Sequence, residues 1–393
     1  MEWLTRVSDR VTSVVPRVDV IRPSPDGSLL AVFASREWDP DLARRERVYV
    51  IERATGREVV ALDGPQTFRA LAWASEDALL VLRDHDAGGS RVTLHAIPDG
   101  GVVTETHLAE CGSGLMALDV TVDHRRAFVS PIWHSGKRRR PYAAVLALPS
   151  LTTLLRIDPQ QFGDPSAPSV ASLSPEGTQV VVVIQPKVSV LTVDRSDVKP
   201  QTHPLSERQR SPSTVMWVAR DRAWVTTTDD TKILDKRRHY AVDTTQGAWT
   251  VLFTEDRSAD FPYALRVDGD GRRVACISLL RGAGTPNTDT TRLVIADART
   301  AEVMSARPLK AYLLSVCWTR DDANIVSVSK GAGSLEIHRW PAEGGAPDLL
   351  TSLSFEDQAR NGVEVACVGD DTAMVLEKDF KGGAFVSLIS LRP

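Results

Sequence analysis

Ser24-Pro25-Asp26-Gly27, flanked by the apolar runs Asp19-Val20-Ile21 and Leu29-Leu30-Ala31-Val32-Phe33, is the clearest copy of a turn that recurs along the whole chain. Weaker copies follow it at Ser75-Glu76-Asp77, Val122-Asp123-His124, Ser174-Pro175-Glu176-Gly177, Ala219-Arg220-Asp221, Asp268-Gly269-Asp270-Gly271, Thr319-Arg320-Asp321-Asp322 and Gly369-Asp370-Asp371. Seven intervals separate residue 26 from residue 370, so the mean spacing is about 49 residues. A fixed period of this size indicates an array of similar structural units.

The segments on both sides of each turn predict β-strands. They are short and rich in Val, Leu, Ile, Thr and Trp, and no stretch keeps a helical period for three turns. The run after the turn is often apolar without alternation, as in Val180-Val181-Val182-Val183-Ile184, which is typical of a strand buried on both faces. A third strand leads into a second hairpin, seen at residues 48–60, 240–247 and 293–300. Each unit is therefore predicted to contain four antiparallel strands, a to d, with tight turns at a–b and c–d.

The turn before a buried strand and the hairpin around Thr55-Gly56 resemble bacterial β-propeller repeats of the YVTN and WD-repeat-like kind. The resemblance covers the whole chain and implies that each unit is one propeller blade. It implies little about function, because propellers carry many unrelated activities. No cofactor and no metal site carries over from the resemblance, so none is expected.

The chain is predicted to form a single all-β domain over residues 1–393, an eight-bladed β-propeller of four-stranded antiparallel blades, with seven blades as the alternative. The last unit is one strand short, because strands are predicted at residues 362–368, 372–378 and 384–391 and no further strand follows. The segment at residues 10–16 precedes the first unit and has the pattern of a strand. We expect it to supply strand d of the last blade, which would close the ring and cover its edges.

Composition and charge argue against some classes of partner. The chain has 47 Lys and Arg residues against 51 Asp and Glu residues, for a formal net charge of −4, so no nucleic acid and no membrane is expected as a partner. The hydrophobic content of 42% is ordinary for a globular protein. No apolar run reaches the roughly 18 residues of a membrane-spanning helix, and the N-terminus lacks a signal-peptide pattern. These features predict a cytoplasmic location.

The cysteines are interpreted as packing residues. Cys276, Cys317 and Cys367 lie in apolar strand-like runs. Together with Cys111 they are expected to be small buried side chains in a reducing cytoplasm.

Tryptophans recur three or four residues before the a–b turn, at Trp73, Trp217 and Trp318. Equivalent positions in three units favour packing between neighbouring blades over ligand stacking.

The connections between strands b and c differ strongly from unit to unit, and they lie on the propeller face where partners usually bind. Residues 131–141 contain four consecutive basic residues soon after Trp133 and His134, and residues 236–239 form a second basic segment. Guanidinium groups pair with carboxylates, and aromatic side chains serve as apolar anchors. We therefore predict a non-catalytic scaffold that binds a protein or peptide partner. Its candidate binding residues are Trp38, Trp133, His134, Arg138, Arg139, Arg237 and His239.

The alternative hypothesis is an enzyme of the hydrolase, lyase or lactonase type, with a small ligand at the mouth of the central channel. The fold alone does not separate the two hypotheses. Carboxylates and imidazoles from different blades would then act as acid/base groups, and the candidates are Asp84, His85, Asp86 and Asp229, with His134 and His239. The sequence contains no GxSxG elbow, HExxH motif or Walker loop. The same residues are also typical of solvated polar loops.

Overall fold

The computed structural model describes residues 16–36, 46–64, 67–85, 88–109, 116–131, 143–157, 169–184, 187–195, 201–204, 210–229, 236–245, 249–256, 266–268, 270–280, 290–300, 302–309, 312–331, 333–354, 360–368, 372–379 and 384–391. Over these residues the chain forms strands and connections without a helix, so this part of the chain has no helix that could span a membrane. The strands group into eight antiparallel sheets, which confirms the all-β prediction.

The sheets are numbered in chain order, and the strands within each sheet follow one another sequentially. Sheet 1 contains β1 (Pro16–Pro23), β2 (Leu29–Arg36), β3 (Glu46–Glu52) and β4 (Glu58–Gly64). Sheet 2 contains β5 (Phe68–Ser75), β6 (Ala78–Asp84), β7 (Ser90–Ala96) and β8 (Val102–Leu108). Sheet 3 contains β9 (Met116–Val120), β10 (Arg126–Pro131), β11 (Ala143–Ala147) and β12 (Thr153–Ile157). Sheet 4 contains β13 (Ser169–Leu173), β14 (Gln179–Ile184), β15 (Lys187–Thr192) and β16 (Gln201–Pro204).

The remaining sheets follow the same plan. Sheet 5 contains β17 (Arg210–Ala219), β18 (Arg222–Asp229), β19 (Lys236–Asp243) and β20 (Trp249–Asp256). Sheet 6 contains β21 (Arg266–Val267), β22 (Arg273–Leu280), β23 (Thr290–Asp297) and β24 (Val303–Leu309). Sheet 7 contains β25 (Tyr312–Trp318), β26 (Asn324–Lys330), β27 (Ser334–Pro341) and β28 (Asp348–Ser354). Sheet 8 contains β29 (Arg360–Val368), β30 (Thr372–Asp379) and β31 (Ala384–Ser390).

The chain divides into two compact units, one of residues 66–258 and one of residues 1–65 with 259–393. Sheets 2 to 5 belong to the first of these units, and sheets 1, 6, 7 and 8 belong to the second. The predicted unit of four antiparallel strands is confirmed in seven sheets, and the predicted strands a, b and c of the last unit are confirmed in sheet 8.

The cores lie between neighbouring sheets of each unit. The second strand of a sheet is buried on both faces, as in β14, where the residues from Val180 to Ile184 are at most 3% exposed. Sheets 3 and 4 share a cluster that includes Phe128, Val145 and Val182. Similar clusters join sheets 2 and 3, 4 and 5, 6 and 7, and 7 and 8. Burying one Val, Leu or Ile side chain contributes about 1.5–3 kcal/mol, which explains why the runs after the turns are apolar without alternation.

Trp217 and Trp318 hold neighbouring sheets together, as predicted. Trp217 of β17 is buried, and its indole Nε1–H donates to the carbonyl oxygen of Ser172 in β13 at 3.0 Å. Trp318 of β25 makes the equivalent bond to the carbonyl oxygen of Arg266 in β21 at 2.9 Å. Trp73 of β5 is also buried. Since the first two donors reach back to the first strand of the preceding sheet, these tryptophans are packing residues.

The fourth strand of six sheets carries a β-bulge soon after the c–d turn. In sheets 1, 2, 3, 5, 6 and 7 the register between the third and fourth strands shifts by one residue. The extra residues are Val59, Val103, Leu154, Leu252, Met304 and Leu350. A bulge increases the local twist and disfavours further pairing along the outer edge of a sheet.

The predicted closing strand at residues 10–16 needs a correction. Pro16 belongs to β1 and pairs with Arg36 of β2, because the strand before the first turn extends beyond the apolar run at residues 19–21. Residues 10–15 lie outside the described residues. Sheet 8 has three strands in the part of the chain that the structure describes.

A disulfide joins two cysteines that the sequence interpretation treats as separate packing residues. Cys317 of β25 is bonded to Cys367 of β29, with their Cα atoms 6.0 Å apart. The two residues are 50 positions apart, close to one repeat, so they occupy equivalent places on neighbouring sheets. Within its own apolar run each cysteine looks like a small hydrophobic residue, and only the repeat spacing indicates a pair. Cys276 is a buried thiol, as expected, and Cys111 lies outside the described residues.

Candidate functional site

Each four-stranded sheet has two different ends. The a–b and c–d turns lie at one end, which we call the turn end. The connection between the second and third strands lies at the other end, which we call the variable end. The a–b connections span two residues (76–77) to five residues (24–28). The connections at the variable end span two residues (185–186) to eleven residues (132–142).

Side chains within the a–b turn satisfy the backbone of that turn. In sheet 3 the Thr121 hydroxyl donates to Asp123 Oδ1 at 2.6 Å and accepts from the Arg126 N–H at 3.1 Å. The Arg125 N–H also donates to Asp123 Oδ1, at 3.0 Å. Sheets 1 and 7 repeat this pattern with the pairs Ser24–Asp26 and Thr319–Asp321. These turns therefore close their hydrogen bonds internally.

The same bonds hold the turn carboxylates in their ionised form. The Thr121 hydroxyl lowers the pKa of Asp123 below its usual value, and the Arg125 N–H adds to this effect while burial opposes it. The pKa of Asp321 is lowered in the same way, first by the Thr319 hydroxyl. A carboxylate with a lowered pKa is poorly matched to proton transfer near neutral pH. The turn carboxylates are therefore structural groups.

The fourth residue of the turn has a left-handed backbone conformation. Its φ is 71° at Gly177, 56° at His124 and 56° at Asp322. Gly177 has a second constraint, since an added Cβ would lie 2.8 Å from Arg126 Cδ and 2.8 Å from Thr121 Cγ2 in the neighbouring sheet. The left-handed φ is also adopted by His124 and Asp322, so it favours glycine at position 177 and the close approach adds a second reason for it.

Arginines at the start of the second strand connect neighbouring turns. Arg126 of sheet 3 donates to the carbonyl oxygen of Gly177 in sheet 4 and forms an ion pair with Asp194 at 2.8 Å. Arg273 of sheet 6 donates to the carbonyl oxygen of Asp322 in sheet 7 at 2.7 Å. Both carbonyl oxygens belong to the fourth turn residue, so the two contacts are equivalent. The two arginines therefore tie neighbouring turns together.

Asp84 lies at the variable end of sheet 2, where the sequence predicts a candidate acid/base group. Its carboxylate accepts two bonds from Arg69 of β5, at 2.7 Å (Nε to Oδ1) and 2.5 Å (Nη2 to Oδ2). A bidentate arginine pair occupies both carboxylate oxygens, so Asp84 fixes the ends of β5 and β6. Sequence reasoning missed Arg69 because only the pairing of these two strands brings it to Asp84.

His85 stacks against His107 of β8, with ring centres 3.9 Å apart and planes inclined by 29°. His107 Nε2 lies 2.8 Å from the carbonyl oxygen of Gly88, so this nitrogen is the donor. Sequence reasoning missed His107, because it lies in the outer strand and comes next to the connection only in the folded sheet. Stacked rings do not direct their nitrogens to a common point, so this pair is unlike a metal site.

The other residues of the enzyme hypothesis are not brought together by the described structure. Asp86 and His134 lie outside the described residues. Asp229 is the last residue of β18 and His239 lies within β19, where the structure describes the backbone. Among the described residues, no group of three or more His, Cys, Asp or Glu side chains is arranged to hold a metal ion.

Most residues predicted to bind a partner lie in the connections at residues 37–45 and 132–142, outside the described residues. These are Trp38, Trp133, His134, Arg138 and Arg139.

The prediction of a loop around Arg237 and His239 is wrong, because both residues belong to β19. The β18–β19 hairpin continues into the basic segment, and the register places Arg237 opposite Glu255 and His239 opposite Phe253 of β20. The sequence alone shows only a charged run and does not reveal that the hairpin continues into it.

Sheet 7 contains a Ser–His–Glu arrangement in which Ser329 and His338 are buried and Glu336 is partly exposed. His338 Nδ1 lies 3.5 Å from the Ser329 hydroxyl oxygen, and His338 Nε2 lies 3.8 Å from Glu336 Oε2. Ser329 is 0% exposed, so its hydroxyl is not accessible to a substrate. Burial lowers the pKa of His338 while Glu336 opposes this effect. The arrangement stabilises the packing of sheet 7 and is not a catalytic triad.

The fold is similar to WD40-type β-propellers of known structure. Sqt1 from Chaetomium thermophilum matches with a TM-score of 0.61 at 14% identity, over 98% of this chain and 99% of that one. Sqt1 of the same organism bound to the N-terminus of the ribosomal protein L10 matches with a TM-score of 0.60 at 14% identity, over 95% and 97% of the two chains. The Dos1 propeller matches with a TM-score of 0.58 at 11% identity, over 96% and 93%. At these identities the similarity shows the fold alone, and it supports a propeller repeat protein.

Comparison with protein-family models and with curated proteins gave no match.

Proposed function

We propose that this protein is a non-catalytic β-propeller scaffold whose variable end binds a protein or peptide partner. One observation carries the proposal. The a–b connections span two to five residues and bind themselves, whereas the connections at the variable end span two to eleven residues. A connection that only joins two antiparallel strands needs few residues. Longer connections on a rigid frame are the usual sites of recognition.

The chemistry of the partner follows from the longest connection at the variable end, residues 132–142. This connection contains Trp133 and His134, followed by four basic residues at 137–140. Arg and Trp are enriched among the residues that carry most of the energy of protein interfaces, and Arg pairs with carboxylates in a planar, bidentate geometry. An acidic peptide segment with an apolar side chain fits these groups. The structure of Sqt1 bound to the N-terminus of L10 supports a terminal peptide as the kind of partner.

Affinity capture with the full chain, followed by binding measurements on the captured partner, tests this proposal. We expect Arg138→Glu combined with Arg139→Glu to weaken binding at least about tenfold, because like charges would then face each other. The matched control is Arg125→Glu combined with Arg195→Glu, two exposed arginines of the turn end. The control is expected to bind within about twofold of the parent. A partner that binds the Arg138/Arg139 variant as tightly as the parent would overturn the proposal.

We further propose that the eight sheets are the eight blades of one propeller, closed by residues 10–15 as the fourth strand of sheet 8. β31 has no charged residue and no register shift against β30, so its outer edge is a template for pairing. Six of the seven other outer strands carry a bulge. β1, which residues 10–15 directly precede, lies against β30 and β31. These features favour residues 10–15 as the strand that covers β31.

Deletion of residues 1–15 tests the closure. We expect the deletion to lower the melting temperature by several degrees and to promote aggregation, because it would leave the β31 edge unpaired. Thr12→Pro in the full chain is a milder variant, expected to cost about 0.5–1.5 kcal/mol through a lost ladder bond. Thr5→Pro, outside the proposed strand, is the matched control. A deletion variant that melts like the parent would reject the closure and leave the binding proposal standing.

A further inference from the structure

Cys317 and Cys367 link the first strands of sheets 7 and 8. Each cysteine is the second-last residue of its strand, β25 for Cys317 and β29 for Cys367. The disulfide therefore crosses between two neighbouring sheets at the turn end, across a sequence separation of 50 residues. A cross-link over this distance restricts the chain mainly in states where the two sheets have separated.

The other described contacts between sheets 7 and 8 are noncovalent. The Val365 N–H donates to the Ser315 hydroxyl at 3.1 Å. Arg339 of sheet 7 donates to the carbonyl oxygen of Leu391 at 2.8 Å. Apolar side chains of the two sheets also form a common cluster.

The disulfide lies at the border between core and solvent. Cys317 is 7% exposed and belongs to the apolar cluster, whereas Cys367 is only partly buried and packs against that cluster. Of the two residues, Cys367 is the more exposed to a small thiol in solution. Thiol–disulfide exchange proceeds by thiolate attack on one sulfur, and access decides which sulfur is attacked.

We propose that the Cys317–Cys367 pair is a reversible redox clamp that controls how firmly sheet 8 is attached to sheet 7. In the oxidised protein the clamp holds β29 against β25. In the reduced protein the attachment of sheet 8 to sheet 7 rests on the Ser315 and Arg339 contacts and the apolar cluster, and sheet 8 opens locally more often. In a reducing cytoplasm the open clamp is the resting state, and oxidation closes it.

Glutathione is the exchange partner in this proposal. Its thiolate attacks Cys367 Sγ, forms a mixed disulfide and releases Cys317 as a thiolate, which takes up a proton. A second glutathione thiolate attacks the glutathione sulfur of the mixed disulfide, releasing Cys367 and forming oxidised glutathione. Two electrons pass from two glutathione molecules to the protein disulfide, and closing the clamp reverses these steps.

Hydrogen–deuterium exchange on the full chain, equilibrated with reduced or oxidised glutathione, tests the clamp. We expect amides of β29, β30 and β31 to exchange at least about fivefold faster in the reduced protein. Amides of sheet 4, which belongs to the other compact unit, are expected to exchange equally in both buffers. Alkylation and intact-mass measurement report the number of thiols in each sample.

Single substitutions separate the clamp from general effects of oxidation. Cys367→Ser is expected to exchange like the reduced parent in both buffers, whereas Cys276→Ser keeps the redox difference. If Cys367→Ser does not fold, the exchange rates of the oxidised and reduced parent protein still test the proposal. Equal exchange of sheet 8 in the two redox states, or thiols that stay reduced in oxidised glutathione, would overturn the proposal.

Discussion

The turn end and the variable end of the sheets are built in opposite ways. At the turn end the same short geometry recurs in sheets 1, 3, 4, 6 and 7, with a hydroxyl or carboxylate in the first position and a left-handed residue in the fourth. At the variable end the connections differ in length from two to eleven residues. The polar groups described there, such as Asp84 and His85, have partners particular to their own sheet.

In the proposed scaffold this difference places the residues that stabilise the fold and the residues that bind the partner at opposite ends of each sheet. A turn that satisfies its own hydrogen bonds fixes the start of each buried strand, and most changes within it leave a buried polar group unpaired. A connection at the other end of the same sheet can change length with little effect on the strands it joins. The following predictions test this separation, beginning with the largest expected effect.

Gly177→Ala is expected to destabilise the protein by about 2–4 kcal/mol, because it combines an unfavourable φ with a steric clash. The added Cβ would lie 2.8 Å from two side-chain atoms of sheet 3. Gly333→Ala, in a connection of the variable end, is the matched control. Its φ is 81° but nothing lies within 4 Å of the added Cβ, so about 1 kcal/mol is expected. Urea denaturation measures the loss of unfolding free energy for both variants. Equal losses would contradict the expectation that the turn end tolerates substitution less well than the variable end.

Thr319→Val is expected to cost about 1–2 kcal/mol, since it removes the acceptor of the Asn324 N–H and the donor to Asp321. The substitution keeps the shape of the side chain, so the loss reports the hydroxyl. Thr319→Ser retains the hydroxyl and is expected to stay within about 0.5 kcal/mol of the parent. If both variants lose the same stability, the turn does not depend on this hydrogen bond.

Acid is expected to weaken the fold first through buried imidazoles. Burial lowers the pKa of His95 and His338, with Arg83 adding to the shift at His95 and the Gly100 carbonyl oxygen opposing it. The unfolded chain keeps an ordinary histidine pKa of about 6.5, so below this pH it binds protons that the folded protein does not. Stability is therefore full above about pH 6.5 and falls as the pH drops toward the lowered folded values. His338→Gln is expected to reduce this loss.

The turn carboxylates are expected to respond to acid in a lower pH range. The pKa values of Asp123 and Asp321 lie below the ordinary value of 3.8. Their contribution is therefore present above that pH and is lost as the pH falls through the lowered folded values. Denaturation curves at a series of pH values measure both ranges, and Asp123→Asn reduces only the second loss. If stability is lost only in the lower pH range, where the carboxylates titrate, the expected contribution of the imidazoles is contradicted.

Lengthening a connection at the variable end is expected to have the smallest effect. Inserting Gly-Ser-Gly-Ser between Gly284 and Thr285 should change the free energy of unfolding by less than about 1 kcal/mol, because loop closure depends weakly on length. The same insertion between Asp26 and Gly27 interrupts a hydrogen-bonded turn and is expected to cost more. Comparable losses for the two insertions, measured by urea denaturation, would show that the two ends are equally constrained.

The strands and the turn end could be predicted from the sequence because their causes are local. A hydroxyl, a carboxylate and a left-handed residue within five positions specify the a–b turn, and apolar runs specify the buried strands beside it. The packing role of Trp217 and Trp318 was also predictable, because equivalent positions in different repeats make the equivalent contact with the preceding sheet.

The contacts of the candidate site could not be predicted in the same way, because they depend on register and on the packing of neighbouring sheets. Asp84 binds Arg69 across a strand pair, and His85 meets His107 from the outer strand. Cys317 and Cys367 looked like two hydrophobic residues until the sheets were placed side by side. Arg237 looked like a loop residue because a charged run does not reveal the facing Glu255.

The self-contained a–b turn also affects how such a protein evolves. The hydrogen bonds of the turn join residues that are close in the sequence. Gene duplication that copies a repeat of about 49 residues therefore copies all the residues that form its turn. Arg126 and Arg273 couple a turn only to the next one along the chain, so a new copy has to fit two neighbours and no more. Copies of one ancestral repeat can thus diverge at the variable end without losing the contacts that fold the turn.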